Sequence, residues 1–259
     1  MKIEVKDLCF GYNDDRMVLN DVDLAIEEPG LYCIVGPNGV GKSTLIKCIN
    51  KIIKPTSGQV LIDGVDVTTM SYKDIADIIG YVPVRSMDVF SLPVTDAVLM
   101  GRSNKNRWRT KKEDLILVNR ALRMMGIEDL AMRNLNELSA GQYQKVAIAK
   151  GLVQEPKLLI LDEPTANLDV KLQIYVTELL RALAEEEHMI VLMISHDLNI
   201  AVKYAHELIV MAPPGVIKAV GPARDVLTTD LVSEIYDVNC KIVEVDDIPL
   251  IVLDSVKSI

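Results

Sequence analysis

The chain has 259 residues, 49% of them apolar, enough to bury a sizeable core in one large α/β domain or two small ones. Its formal net charge of −9 excludes a general nucleic-acid binder, which needs surplus lysine and arginine to neutralise phosphates. The strongest apolar run, residues 189–194, has strand length and falls far short of the ~18 residues of a membrane-spanning helix.

Residues 1–6 alternate polar with apolar side chains and lack a signal-peptide core, which predicts a protein that stays in the compartment where it is made. Cys9, Cys33, Cys48 and Cys240 show no C-x-x-C spacing. They read as reduced thiols of a cytosolic protein. Residues 2–9 and 18–27 read as strands, the second alternating at Val22, Leu24 and Ile26. Between them, residues 10–15 read as a turn carrying Tyr12. Two readings of Tyr12 stand: a packing residue, or a surface for a nucleotide base if the turn folds over the loop that follows.

Residues 31–35 form an apolar run that reads as a buried strand, and 45–51 read as a helix. Between them stands Gly36-Pro37-Asn38-Gly39-Val40-Gly41-Lys42-Ser43-Thr44, a full G-x-x-x-x-G-K-S/T phosphate loop in a strand-to-helix context. Its glycines allow backbone conformations in which successive amides point at one anion, and the helix beginning near Lys42 adds its positive end. Lys42 supplies a point charge for the β- and γ-phosphates, and the Ser43 hydroxyl is placed to ligate magnesium. This stretch predicts binding of ATP or GTP.

Residues 59–62 read as a short strand closed by Asp63-Gly64, and 80–83 end another. From about residue 88 to 155 the pattern changes to helical period, at 111–125, 140–153 and, more briefly, 94–100. Arg102, Lys105, Arg107, Arg109, Lys111 and Lys112 cluster around Trp108, the only tryptophan. That cluster is either a solvated turn and helix start or a contact for headgroups or a partner. The helix after 140 begins at Leu138-Ser139-Ala140-Gly141-Gln142. Ser139 suits its N-cap, and a capped helix start presenting a hydroxyl and free amides is a second anion site.

Residues 157–161 read as a strand, apolar without a break from Leu158 to Leu161, as in a strand buried on both faces of a parallel sheet. They deliver Asp162 and Glu163 at the carboxyl end, where α/β sheets place ligands. Two adjacent carboxylates there are costly unless a metal or a water chain uses them. Asp169 suits the cap of a helix over 170–184 with Leu172, Val176, Leu179, Leu180 and Leu183 inward. The buried strand 189–194 then leads to Ser195-His196-Asp197. If it runs parallel to the Asp162 strand, both ends face one crevice. Short strands at 208–211 and 216–220, a turn at Pro213-Pro214-Gly215 and an acidic tail complete the chain, with no chemistry legible in about the last forty residues.

With these residues in place, the chain resembles the ATPase subunits of ABC transporters over essentially its whole length. The resemblance rests on a Walker A loop at 36–44, a signature at 138–142, and a Walker B strand at 158–162 followed by Glu163. It continues through a D-loop at Ala166-Asn167-Leu168-Asp169 and a switch histidine at His196. It implies a P-loop NTPase fold: a RecA-like core with a mainly parallel sheet, N-terminal antiparallel strands, and a helical subdomain at about 88–155 within a single domain of residues 1–259. It implies ATP and Mg²⁺ as cofactors, the ion held by Ser43 and Asp162. Glu163 would polarise the attacking water, His196 would steady the γ-phosphate, and Tyr12 would stack on adenine. Ser139, Ala140, Gly141, Gln142 and Asp169 would act in trans, on the nucleotide of a second copy. The implied partners are that copy, transmembrane permease subunits and, indirectly, a substrate-binding protein, at the cytoplasmic face of the cell membrane. Residues 94–102, with Trp108 soon after, look like the subgroup that imports iron chelates, haem and cobalamin.

Two positions depart from the family pattern. Ala140 stands where glycine is usual in the signature. Val84 stands where the family carries the glutamine of its Q-loop, which touches magnesium and the attacking water; Arg85 or Ser86 beside it are the side chains that could stand in. Val84 opens an alternative, a nucleotide-gated subunit that binds ATP and hydrolyses it weakly. A soluble ABC ATPase of repair or translation ranks below both, because one compact lobe fills the span from Lys42 to Asp162.

Overall fold

The computed structural model describes residues 1–13, 16–84, 91–103, 111–166 and 168–257. Asp14 and Asp15 of the expected turn, Arg85, Ser86, Trp108 with Lys105, Arg107 and Arg109, and Asn167 of the D-loop lie outside the described residues.

The first third of the chain runs β1 (Ile3–Asn13), β2 (Arg16–Ile26), β3 (Gly30–Val35), α1 (Lys42–Ile49), β4 (Ser57–Ile62), β5 (Val65–Asp66), α2 (Tyr72–Ile78) and β6 (Ile79–Val82). Strands β2, β1, β4 and β5 form an antiparallel sheet in that order. The turn expected over residues 10–15 is shorter than that, because β1 continues past residue 9 and Phe10 and Gly11 pair with Leu19 and Met17. Register shifts between Val5 and Leu8, Leu8 and Phe10, and Phe10 and Gly11 interrupt the pairing. Such bulges break the period-2 alternation that marks a strand in sequence.

Next come α3 (Val94–Leu99), α4 (Lys112–Met124) and α5 (Ala140–Leu152). Among the described residues between β6 and residue 157, the only β pairing is an isolated bridge, Pro93 with Asn134. The helices meet closely: a Cβ on Gly101 would lie 2.4 Å from the Lys150 carbonyl oxygen, so only glycine fits. Arg102 departs from the solvated reading of the basic cluster. Its Nε donates to Oδ1 of the buried Asp114 at 3.0 Å, and Nη1 to the Val153 carbonyl at 3.3 Å. A buried carboxylate needs such a partner, so Arg102 ties the end of α3 to α4 and α5.

The remainder is β7 (Leu158–Leu161), α6 (Val170–Glu186), β8 (Ile190–Ile194), α7 (Leu198–Tyr204), β9 (Glu207–Ala212), β10 (Val216–Gly221), α8 (Ala223–Val226), α9 (Thr229–Tyr236), β11 (Val238–Val245) and β12 (Ile248–Val256). The central sheet has the order β10-β9-β3-β8-β7-β6 and is parallel except for β10. Every residue of β3, β7 and β8 is buried, as expected for strands covered on both faces. Leu31, Cys33 and Val35 pack with the helices, while Tyr32 and Ile34 pack with the antiparallel sheet and α1.

The acidic tail expected after β10 is instead α9 followed by a β-hairpin. The hairpin turns at Asp246 and Asp247, both in the left-handed region at φ 51 and 60. Two-residue hairpin turns need positive φ, which asparagine and glycine usually supply. Two aspartates in that place give a sequence reader charge rather than a turn signal.

Candidate functional site

The phosphate loop leaves the carboxyl end of β3 and opens α1. Gly36, Gly39 and Gly41 take φ values of 148, 79 and 105, conformations that side-chain-bearing residues resist. At Gly36 a Cβ would also stand 2.3 Å from the Met211 carbonyl oxygen, and at Gly41 2.8 Å from that of Val18. Gly41 occupies the N-cap of α1 without a side-chain cap, which leaves helix amides to meet an anion. Lys42 is only 6% exposed, and its Nζ donates to the carbonyls of Gly36 at 2.7 Å and Pro37 at 2.8 Å. Burial pushes its pKa down, with Glu163 and Asp162 pulling the other way. A buried ammonium of this kind gains from an incoming anion.

Strands β7 and β8 are neighbours in parallel register, Leu161 opposite Met193, so Asp162-Glu163 and Ser195-His196 emerge side by side. Asp162 is 4% exposed and accepts a hydrogen bond from Ser43 Oγ at 3.0 Å. Burial raises its pKa above the usual carboxylate range; Ser43 counteracts this and nearby Glu163 adds to it. A hydroxyl and a carboxylate held together in a desolvated corner fit a hard divalent cation, whose charge would reverse the strain on the carboxylate. Glu163 takes φ 53, unusual for a residue with a side chain. Its Oε1 lies 2.5 Å from His196 Nε2.

Tyr12 is 62% exposed and meets Phe10 edge-on at 4.9 Å between ring centres. It lines a cleft of about 520 Å³ with Asn38, Gly39, Val40, Thr44 and Pro213-Pro214-Gly215. The same loop that cradles an anion thus has an aromatic wall beside it. Val84 is 46% exposed and lines a different, smaller groove with Tyr81, Ala97, Tyr143 and Gln144.

The signature residues gather elsewhere, on α5 and α6. Ser139 Oγ accepts from the Gln142 amide at 3.3 Å, and Gln142 Oε1 accepts from the Ser139 amide at 3.0 Å, a reciprocal capping box. Ala140 opens α5, and a Cβ on Gly141 would stand 2.7 Å from Leu172. Asp169 caps α6 by accepting from the Leu172 amide at 2.9 Å. None of the hydrogen bonds described joins this group to the phosphate loop of its own chain.

One link was invisible in sequence. Asn199 of α7, in the helix that follows His196, exchanges two hydrogen bonds with the backbone of Ile251 in β12: its Nδ2 donates to the carbonyl at 3.2 Å and its Oδ1 accepts from the amide at 2.8 Å. No local pattern announces it, since the two residues lie 52 positions apart.

The ABC transporter family model matches residues 19–166, more than half of the chain. The chain is 39% identical over 252 residues to an uncharacterized ABC transporter ATP-binding protein of Methanocaldococcus jannaschii, covering 97% of this chain and 98% of that protein. It is 34% identical over 243 residues to the iron(3+)-hydroxamate import ATP-binding protein of Bacillus subtilis, covering 93% and 90%. Among solved structures, a metal-chelate type ABC transporter in an inward-facing conformation superposes with a TM-score of 0.83 at 27% identity, covering 98% of this chain and 97% of that one. A dimeric ATP-binding cassette in a post-hydrolysis state, bound to ADP and Pi, gives 0.75 at 29% identity over 85% of this chain and 98% of that one. Among the described residues no helix is long and apolar enough to cross a membrane. With a phosphate loop, a paired carboxylate and a histidine converging at the carboxyl ends of neighbouring interior strands, this chain belongs to the ABC transporter family as an ATP-binding, ATP-hydrolysing subunit.

Proposed function

We propose that this chain powers import of a metal chelate, haem or cobalamin by hydrolysing ATP between two copies of itself. The observation that carries the hydrolytic part is the cluster at the ends of β7 and β8: Ser43 on Asp162 at 3.0 Å, and His196 against Glu163 at 2.5 Å. The names of its relatives support the import part, siderophore and hydroxamate transport among them.

In this reading residues 36–44 hold the phosphates of ATP through loop amides, and Lys42 turns its ammonium from the loop carbonyls to the β- and γ-phosphates. Ser43 and Asp162 would hold Mg²⁺, which when bound neutralises phosphate charge. Glu163 takes a proton from the attacking water as its oxygen bonds to the γ-phosphorus and the bond to the β–γ bridging oxygen breaks. ADP and phosphate result. His196 orients the Glu163 carboxylate and, with substrate in place, steadies the γ-phosphate. Tyr12 stacks on the base. Ser139, Ala140, Gly141, Gln142 and Asp169 complete the site of the other copy. Residues of about 88–155 act as the helical subdomain, and the dimer works beneath transmembrane permease subunits at the cytoplasmic face of the membrane, fed by a substrate-binding protein. The test is Glu163→Gln: turnover should be abolished while ATP is retained and a dimer accumulates. Unchanged hydrolysis would show that Glu163 is not the base.

A further inference from the structure

The turn Pro213-Pro214-Gly215 joins β9 to β10 and lines the cleft of about 520 Å³ together with Tyr12 and the phosphate loop. Both prolines are exposed there, whereas Gly215 is buried. The turn closes on itself through the Gly215 N–H, which donates to the Ala212 carbonyl at 2.9 Å. Two anchors outside it fix its place. On one side β9 runs parallel to β3, Val210 opposite Val35, and the Met211 carbonyl comes so close to Gly36 that no Cβ fits between them. On the other side the turn sits on β2. The Asn20 N–H donates to the Gly215 carbonyl at 3.0 Å, and Asn20 Nδ2 donates to the carbonyl of Pro214. Gly215, at φ 94, lies so near the Val18 carbonyl oxygen that a Cβ would run into it.

The same Val18 carbonyl is the one that Gly41 approaches at the start of α1. Residues 18–20 of β2 are thus a common shelf for the phosphate loop and for the turn beside it, and the shelf fixes the spacing between the two. We propose that residues 213–215 form a second wall for the aromatic base of the nucleotide, in addition to Tyr12, and that Asn20 is the positioning residue that holds this wall. Proline rings suit the part. They offer apolar contact, and with φ fixed they lose little freedom when a ligand arrives. Away from the loop, the side chains lining the cleft are those of Tyr12, Met17, Val18 and the two prolines, and the Tyr12 hydroxyl is the one polar group among them. Such a lining grips a flat ring by its faces. Asn20 acts through the turn, whose carbonyls it holds, so the wall stands in place before the ligand enters and no ordering cost is charged to binding.

The inference rests on the reading of residues 36–44 as the phosphate-binding loop, and the experiment separates the two. Calorimetry on the full chain, with magnesium throughout, compares ADP with inorganic pyrophosphate, which carries phosphates and no base. Asn20→Ala should weaken ADP about threefold to tenfold, the order of one lost hydrogen bond, and leave pyrophosphate within about twofold. KM for ATP should rise by the same factor as the ADP loss, with kcat within about twofold. Gly215→Ala pushes the turn off β2 and should weaken ADP at least as much, again sparing pyrophosphate. Leu24→Ala opens a cavity under β2 further along the strand, where Leu24 pairs with Val5. It should lower Tm and leave both affinities unchanged. ADP affinity within about twofold of wild type in Asn20→Ala would overturn the role of Asn20, and in Gly215→Ala that of the turn. Equal loss of ADP and pyrophosphate in these variants, or weakening of ADP by Leu24→Ala, would overturn the proposal as well, since support of the loop or general loosening would then explain the effect. Lys42→Ala that binds pyrophosphate as well as wild type would instead overturn the loop reading, and this proposal with it.

Discussion

His196 Nε2 stands 2.5 Å from Glu163 Oε1 because β7 and β8 lie side by side in parallel register and end level with each other. The contact places a titratable ring directly on the candidate base, so removing the ring should act on the chemical step more than on binding. His196→Ala is expected to lower kcat about 10- to 100-fold, within the range of acid–base and electrostatic contributions. KM for ATP should change little. Steady-state ATPase assays over a range of ATP concentrations check this, and a change confined to KM would remove His196 from the chemistry.

Asp162 makes a pH prediction whose sign follows from its raised pKa. A carboxyl with a folded pKa above its unfolded value costs stability when ionised. That cost is fully present above the folded pKa and is relieved as pH falls toward the unfolded value near 3.8. Without magnesium at neutral pH, Asp162→Asn should therefore raise Tm by a few degrees, roughly 2–4 °C per kcal/mol for a chain of this size. The gain should shrink on acidification. The same variant should lose magnesium-dependent ATP turnover. Thermal melts at pH 7 and pH 4.5 measure the difference, and a wild-type Tm above that of the variant at pH 7 would contradict the assignment.

The loop glycines separate fold from function. A Cβ on Gly36 meets a backbone oxygen at 2.3 Å, whereas one on Gly39 meets nothing within 4 Å. Gly36→Ala should cost on the order of 2 kcal/mol or more, since backbone has to shift. Gly39→Ala carries only the strain of its positive φ, about 1 kcal/mol. Urea unfolding gives both values, and equal losses would mean that the close approach to Met211 is not limiting.

Tyr12 is open to solvent on most of its surface, so its truncation should barely affect the fold. If its ring serves as the wall of the nucleotide cleft, Tyr12→Ala should raise KM for ATP about fivefold or more, because base–aromatic stacking is worth about 1–3 kcal/mol. Tyr12→Trp should restore it. A Tm loss without a change in KM would return Tyr12 to a packing role against Phe10.

The resemblance in sequence places Val84 where a glutamine is expected, and valine supplies no polar atom there. Val84→Gln should raise turnover several-fold if the chain lacks that group. An unchanged rate would mean that another side chain already fills the role.

What could be read from sequence was local. The phosphate loop, the buried strand before it and the carboxylates after β7 announce themselves because strand, turn and helix start are contiguous and each residue type has a reason to be there. The cap roles of Ser139 and Asp169 were legible on the same ground. Contacts between distant segments were not. Arg102 looked like one member of a solvated basic run, and only the folding of α4 beside it brings Asp114 to its guanidinium. Ile251 sat in an apparent tail, and its two hydrogen bonds with Asn199 join segments 52 positions apart. The irregular half of β1 lacked clean alternation, because register shifts break the pattern that reveals a strand.

The capping box at the start of α5 bears on how two copies could meet. Ser139 Oγ spends a lone pair on the Gln142 amide, and the Gln142 side chain closes back on Ser139. An oxygen engaged as an acceptor keeps its own proton to give, and the cap holds the side-chain rotamer that places that oxygen. A phosphate arriving from a neighbouring copy would meet a hydroxyl already in position, with its proton still free to turn toward it. The rotamer freedom of that side chain was surrendered when the helix formed, so docking the second copy would cost less ordering at this point than a free serine would require.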